Sequence, residues 1–323
     1  MTVYVERLAA LVTAAALTAV RLRSPFLLRT VEPPLRTAHG RRVRGVQRVG
    51  KRIVLALGGA GDAGARGPSR AGDDAGDLHL VLHLMVAGRL HWKQPDSGIP
   101  GRIGLAAFDF ARGGQPLGTL LLTEAGTKKR ASLHVVAGAA ALSAFDRGGL
   151  EVLTADRAAF AEALARENHT LKRALTDPRL FSGIGNAYSD EILHRARLSP
   201  FQQTAQMDEP EVARLHAAAR VVLTEWTARL RAEAAAAARA GTLLPEKVTA
   251  FREGMAVHGR FRQPCPDCGA PVQRIVRAEN ECNYCARCQT GGRLLADRVL
   301  SRLLKDDWPA TLEELEDLEE RKG

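Results

Sequence analysis

Four cysteines, Cys265, Cys268, Cys285 and Cys288, form two Cys-x-x-Cys pairs separated by sixteen residues. Each pair places two thiolates on one tight turn, and two such turns facing each other close a tetrahedral shell around a metal ion. The spacing predicts one structural zinc per chain, held by thiolates alone, with no position left open for a reacting water. Two disulfides are the alternative, but they require an oxidising compartment that no other feature of the chain supports. Cys282 stands outside both pairs and reads as a bystander thiol. Loss of Cys265 is expected to open the tetrahedron and release the metal.

The formal charge is +10 over 323 residues. From Lys305 to Gly323 the chain holds eight acids against three bases, so the remaining 304 residues carry +15. Such an excess points to a polyanionic partner, nucleic acid ahead of a membrane surface. The apolar, Ala-rich stretch Leu8–Val20 is too short to span a bilayer, and Glu6 offsets Arg7 on its flank. It is expected to be an amphipathic helix packed on a core. The chain reads as a cytoplasmic monomer with no membrane partner. A Walker loop, a Ser-His-Asp set and carboxylates at hydrolase spacing are all missing from the sequence, which weakens nucleotide-driven and hydrolytic readings.

Between Phe26 and about Val136, short apolar runs alternate with turn residues: Ile53–Leu57, Leu80–Met85, Leu105–Phe108 and Thr119–Leu122. Runs of this length bounded by Gly and Pro predict strands of a sandwich or barrel. Gly58–Asp77, rich in Gly, Ala and Asp, is expected to be a surface insertion. From about Asp156 the period becomes helical, with segments Ala159–Glu167, Leu171–Leu175, Ala187–Ala196 and Glu209–Ala240, and a last helix is expected over Leu294–Leu304. The fold class is therefore multidomain α+β: a β-sandwich over 1–150, a helical domain over 151–250, a four-cysteine β-hairpin over 251–292 and a helical acidic tail over 293–323.

Glu167–Pro200 carries the chemistry. A helix ends at Asp177-Pro178, and Gly183-Ile184-Gly185-Asn186 leads into a second helix with Asp190 and Glu191 in its early turns. Glycines allow close backbone approach, and the free N–H groups of a helix start attract a phosphate, although tight helix packing explains the same glycines. In order along the chain stand Val46–Lys51, His83-Leu84, Lys172, Leu175-Thr176-Asp177, Gly183–Tyr188 with Asp190-Glu191, and Pro200. They are followed by Val257-His258-Gly259-Arg260, Pro264-Cys265, Cys268-Gly269, Tyr284-Cys285 and Cys288-Gln289. Together these make the chain resemble the formamidopyrimidine-DNA glycosylase / endonuclease VIII family over residues 1 to 292, with its N-terminal β-sandwich, helix-two-turns-helix domain and zinc hairpin.

The resemblance implies a DNA glycosylase with apurinic-site lyase activity in base-excision repair, acting on damaged double-stranded DNA through an imine intermediate. It places Lys51 at the family's assisting hairpin lysine, and Lys172, Gly185, Asn186, Lys128, Lys129, Arg260 and Arg277 among the DNA contacts. It also implies an N-terminal proline nucleophile followed by a glutamate, whereas this chain opens Met1-Thr2-Val3-Tyr4. Met1 stands where the family has a valine six residues in, so the reading expects a true start a few codons upstream. Val86 replaces the family's wedge methionine, with Met85 one residue early. Glu124–Arg130 replaces a run that carries an intercalating aromatic, and Asn280 replaces an arginine of the zinc hairpin. Two other readings remain: a catalytically silent lesion binder of the same fold, and a zinc-ribbon nucleic-acid-binding factor.

Overall fold

The Ala-rich stretch near the N-terminus divides into two elements. Helix α1 (Thr2–Val12) stops where Thr13 turns extended and Ala14 takes φ +67°, and strand β1 (Ala16–Leu22) follows. The single helix expected over Leu8–Val20 is thereby corrected. Alanine favours helix by only about 0.7 kcal/mol or less over ordinary residues. Pairing of β1 along β6 and burial of Leu17 and Val20 outweigh that preference. A bidentate ion pair from Arg21 to Asp109, at 2.7 and 2.8 Å, pins the register. The computed structural model describes residues 1–59, 76–244, 252–277, 280–296 and 309–320.

Two compact units form, Met1–Arg147 with Thr227–Ala250, and Gly148–Trp226 with Phe251–Gly323. The first adds β2 (Arg41–Val49), β3 (Arg52–Leu57), β4 (Leu78–His83), β5 (Gly88–Lys93), β6 (Gly104–Arg112), β7 (Gln115–Glu124) and β8 (Ser132–Ala137). All neighbours are antiparallel, in the order β5-β7-β6-β1-β2-β3-β4-β8. The β1–β2 seam is short, Ala16 opposite Arg42 and Leu17 opposite Arg41, and joins two four-stranded layers of a sandwich. Side chains alternate as a two-residue period requires. Ile53, Leu55 and Leu57 face the main core with Phe108, Phe110, Leu120 and Leu122, while Val54 joins Val81 and Val136 in a smaller cluster. Leu142 of α2 (Gly138–Ser143) and Phe145 pack on that cluster. The apolar runs read from the sequence fall on β3, β4, β6 and β7, but Met85 lies past the end of β4, at φ +52°. Residues 60–75 of the expected insertion Gly58–Asp77 lie outside the described residues.

The second unit holds α3 (Arg157–Ala165), capped by the Asp156 carboxylate, α4 (Leu171–Thr176), capped by Thr170, and α5 (Asn186–Ala196). Their apolar faces, with Phe181, enclose Phe160, Leu171, Leu175, Ile192 and Leu193. Helix α6 (Glu209–Arg239) serves both units: Leu215, Ala219 and Trp226 complete this core, whereas Leu230 and Ala234 belong to the sandwich core. A hairpin of β9 (Val272–Arg277) and β10 (Asn280–Cys285) runs into α7 (Ala286–Thr290). Its core of Val257, Val272 and Tyr284 is covered by Leu294, Leu295 and Leu312, the last from α8 (Leu312–Glu320). The helix expected over Leu294–Leu304 falls mostly outside the described residues; Leu294 and Leu295 themselves are not helical, and the Leu295 amide donates to the Tyr284 hydroxyl at 2.8 Å. Among the described residues no helix is long and apolar enough to cross a membrane.

Candidate functional site

The passage from α4 to α5 is built around a buried carboxylate. Gly183 takes φ +81°, a conformation that favours glycine, whereas Gly185, the N-cap of α5, is extended at φ −115° and supplies no side-chain cap. Lys172 reaches from α4 to the Asn186 carbonyl at 2.7 Å and to Asp190 Oδ1 at 2.5 Å, and the Asp190 side chain is 0% exposed. Its second oxygen meets His258 Nδ1 at 2.8 Å and accepts from Asn283 Nδ2 at 3.4 Å. Glu191 accepts three successive backbone amides, Ala256 at 2.7 Å and Val257 and His258 at 2.9 Å each. Asn186 Nδ2 donates to the Glu281 carbonyl on β10 at 2.8 Å. Thus the adjacent acids Asp190 and Glu191 fasten the segment before the first cysteine pair to the helix turn. A buried carboxylate is tolerable only with such partners, and Lys172 supplies the compensating charge.

The hairpin brings all four paired cysteines together, with every Sγ within 4.8 Å of the others. Cys265 and Cys288 are 3.9 Å apart and Cys268 and Cys285 3.4 Å, far beyond a disulfide bond, and all are free thiols. Zinc–sulfur bonds of about 2.3 Å imply tetrahedral edges of about 3.8 Å, so the cluster fits a divalent ion as it stands. Burial, then the neighbouring thiols, pushes Cys285 up to about 12 and Cys288 well above its usual range. For Cys268 burial acts upward too, but the Ala270 amide and the other thiols hold the thiol below its ordinary value. A cation at the centre would favour all four thiolates at once. Cys282 is not among these four and interacts with Asp190; burial first, then that carboxylate, pushes it up to about 12. His194, on α5, puts Nε2 3.3 Å from Cys265 Sγ, and burial holds its pKa below the usual range despite Asp267.

In the sandwich, Lys51 sits on the β2–β3 turn beside Gly50 at φ +58°, and burial lowers its pKa. His83, at the end of β4, is lowered to about 4, by burial first and then by the charges of Arg52, Lys51 and His134. The β4–β5 turn exposes Val86 (79%) and part of Met85 (39%). Against it lies the basic loop after β7: a Cβ on Gly126 would stand 3.7 Å from that of Ala87. Glu124, 2% exposed, organises the loop. Its two oxygens accept from Arg130 N at 3.0 and 2.9 Å, one also accepts from Ala131 N at 3.2 Å, and Lys129 Nζ donates to its carbonyl. Lys128 and Arg130 are left exposed.

Arg260 gives its donors to its own loop, to Gln263 at 3.1 Å, Met255 O at 3.3 Å and Pro264 O at 3.0 Å. Arg277 ends β9 directly opposite Asn280 in the hairpin register. Glu124, His194 and the Asp190–His258 contact were not read from the sequence. Partners separated by 68 residues (Asp190–His258) and 71 residues (His194–Cys265) leave no local spacing to find.

The sequence matches the formamidopyrimidine-DNA glycosylase N-terminal domain over residues 1–116 and the formamidopyrimidine-DNA glycosylase H2TH domain over residues 150–233. An uncharacterized formamidopyrimidine-DNA glycosylase-like protein of Mycobacterium tuberculosis is 42% identical over 156 residues, covering 48% of this chain and 91% of the relative. The formamidopyrimidine-DNA glycosylase of Thermus thermophilus is 30% identical over 264 residues, 79% of this chain and 85% of its own. That of Heliobacterium modesticaldum is 30% identical over 295 residues, 87% and 95% of the two chains. The structure of Lactococcus lactis Fpg with an abasic site containing DNA superposes with a TM-score of 0.70 at 20% identity, over 90% of this chain and 97% of that one, a likeness of fold.

Proposed function

Because the chain belongs to the formamidopyrimidine-DNA glycosylase family, we propose that it is a DNA glycosylase with apurinic-site lyase activity, acting on damaged duplex DNA in base-excision repair. The observation that carries this reading is the match of both family domains in order, together with a Thermus thermophilus relative covered over 85% of its length. The damaged nucleotide leaves the stack, so that an amine can attack the sugar carbon as the base departs. The resulting iminium permits elimination of the flanking phosphates and strand cleavage. Lys51 assists beside the lesion: its lowered pKa raises the fraction of neutral amine.

Positioning falls to the phosphate contacts. The uncapped start of α5, at Gly185 and Asn186, offers free amides, and Lys172 holds that turn in shape. Lys128 and Lys129 on the β7–β8 loop add positive charge to the first unit, and Arg260, before the first cysteine pair, and Arg277, at the end of β9, add it to the second. Arg260 acts through the loop it ties. One zinc ion held by Cys265, Cys268, Cys285 and Cys288 is structural, since four thiolates leave no site for water.

The test is duplex DNA carrying an oxidised purine or an abasic site, mixed with the full chain and borohydride. Base release, strand nicking and a trapped covalent adduct are expected from a form that opens Pro-Glu, the nucleophile and acid that the family resemblance implies, with Lys51→Gln in that form slowed about a hundredfold, the order of a lost acid–base assistant. Tight binding to lesion duplex without release or adduct by that form as well moves the reading to a silent lesion binder, while the Val86 tip and the loop lacking an aromatic bear on which lesion and opposite base are read. Preference for RNA over lesion DNA points to a zinc-ribbon factor instead.

A further inference from the structure

We propose that His194 is a working member of the metal centre: its Nε2 supports the Cys265 thiolate and becomes the fourth ligand when that thiolate is lost. The inference rests on the reading of the four cysteines as a zinc site. His194 occupies the last turn of α5, its side chain 4% exposed. Its Nε2 stands 3.3 Å from Cys265 Sγ, at N–H···S hydrogen-bond distance, and within 4.8 Å of Cys288 Sγ and the Asp267 carboxylate. The ring therefore lies along the 3.9 Å Cys265–Cys288 edge of the cluster. The donors that lie within 4.8 Å of one another and include the ring are Asp267 and Cys288; Cys265 joins through its 3.3 Å contact with the ring, and Cys268 and Cys285 through neither.

That asymmetry sets the four cysteines apart from one another. Removing the Cys265 side chain opens the corner beside the imidazole, and nitrogen binds zinc at about 2.0–2.1 Å in closed three-cysteine, one-histidine sites. Asp267 is the competing donor, with Oδ2 4.0 Å from Nε2. It is 44% exposed and would have to give up water, whereas the ring is already buried. Removing Cys285 opens a corner that the ring does not face. The loss of metal expected from the sequence for Cys265 should therefore apply to Cys285 and not to Cys265.

The test uses full-length protein loaded with Zn2+ or Co2+. Cys265→Ala should keep about one metal per chain, with a weaker sulfur-to-cobalt charge-transfer band and shifted visible bands, as one thiolate gives way to imidazole. Cys265→Ala/His194→Ala and Cys285→Ala should both lose the metal. With all four cysteines present, His194→Phe should release zinc to a chelating dye about tenfold faster, the order expected when a ligand loses its hydrogen-bonding partner. Wild type that holds no metal would sink the zinc reading itself. Metal in wild type but equal loss from Cys265→Ala and Cys285→Ala overturns the replacement role, as does retention by Cys265→Ala/His194→Ala or loss caused by Asp267→Ala in its place. Unchanged release from His194→Phe overturns the supporting role.

Discussion

Glu124 is a negative charge inside a loop whose exposed side chains, Lys128 and Arg130, are positive. Coulomb attraction alone says that removing it should strengthen binding to DNA. Its carboxylate, however, takes two main-chain amides, and charge-assisted bonds of that kind are worth about 1.5–3 kcal/mol. Glu124→Gln should therefore loosen the loop and weaken binding to an abasic-analogue duplex about tenfold; a gain in affinity in a titration would reject this. His83 has a different signature. The unfolded chain takes up its proton near the ordinary 6.5, the folded chain only near 4, so between these values the unfolded state binds more protons. Stability from this group is complete above 6.5 and falls as pH drops toward 4. His83→Gln should flatten urea midpoints measured across that window, and an unchanged pH slope would reject the assignment. Lys51 was legible only through the family resemblance carried by Val46–Lys51, since a lysine at a turn has no signature of its own. Glu124 was not, since a carboxylate bonding amides six and seven residues onward follows no helical or strand period.

Helix α5 and the cysteine hairpin act as one piece because Asp190 and Glu191 join them. Replacing Asp190 alone by Leu leaves the Lys172 ammonium buried without its partner, a loss of about 3–5 kcal/mol. Lys172→Met/Asp190→Leu removes both charges and should be less destabilised than the sum of the single variants in thermal unfolding. Additive losses would show that the pair does not act as a unit. At this scale the sequence served well where a period or spacing was strong: the cysteine pairs, α5, α6 and the apolar runs of β3 and β7. It failed at β1, where three alanines in a row suit a helix and only the distant partner β6 makes a strand the better choice. The apolar runs also leave out β2, β5 and β8, whose mixed sequences, Arg41–Val49, Gly88–Lys93 and Ser132–Ala137, carry no clear alternation of their own.

For the whole molecule, the +15 carried outside the acidic tail sets how binding responds to salt. Affinity for lesion duplex should fall with a log–log slope of several units, about 0.9 for each phosphate neutralised. Asn186→Ala, which unties the start of α5 from the Glu281 carbonyl, should lower affinity about equally across base sequences, since contacts at a helix start position the duplex without reading it. A salt-independent affinity would contradict both expectations. Basic composition announced this behaviour, but nothing in the sequence announced that α6 divides between two cores. Leu230, Ala234 and Leu244 complete the sandwich core, although the rest of it is finished by Arg147. On a ribosome adding about 5–20 residues per second, the sandwich would emerge and wait on the order of ten seconds for its last leucines. During that interval its apolar face is open, so the nascent chain, more than the finished protein, is the form that needs a chaperone.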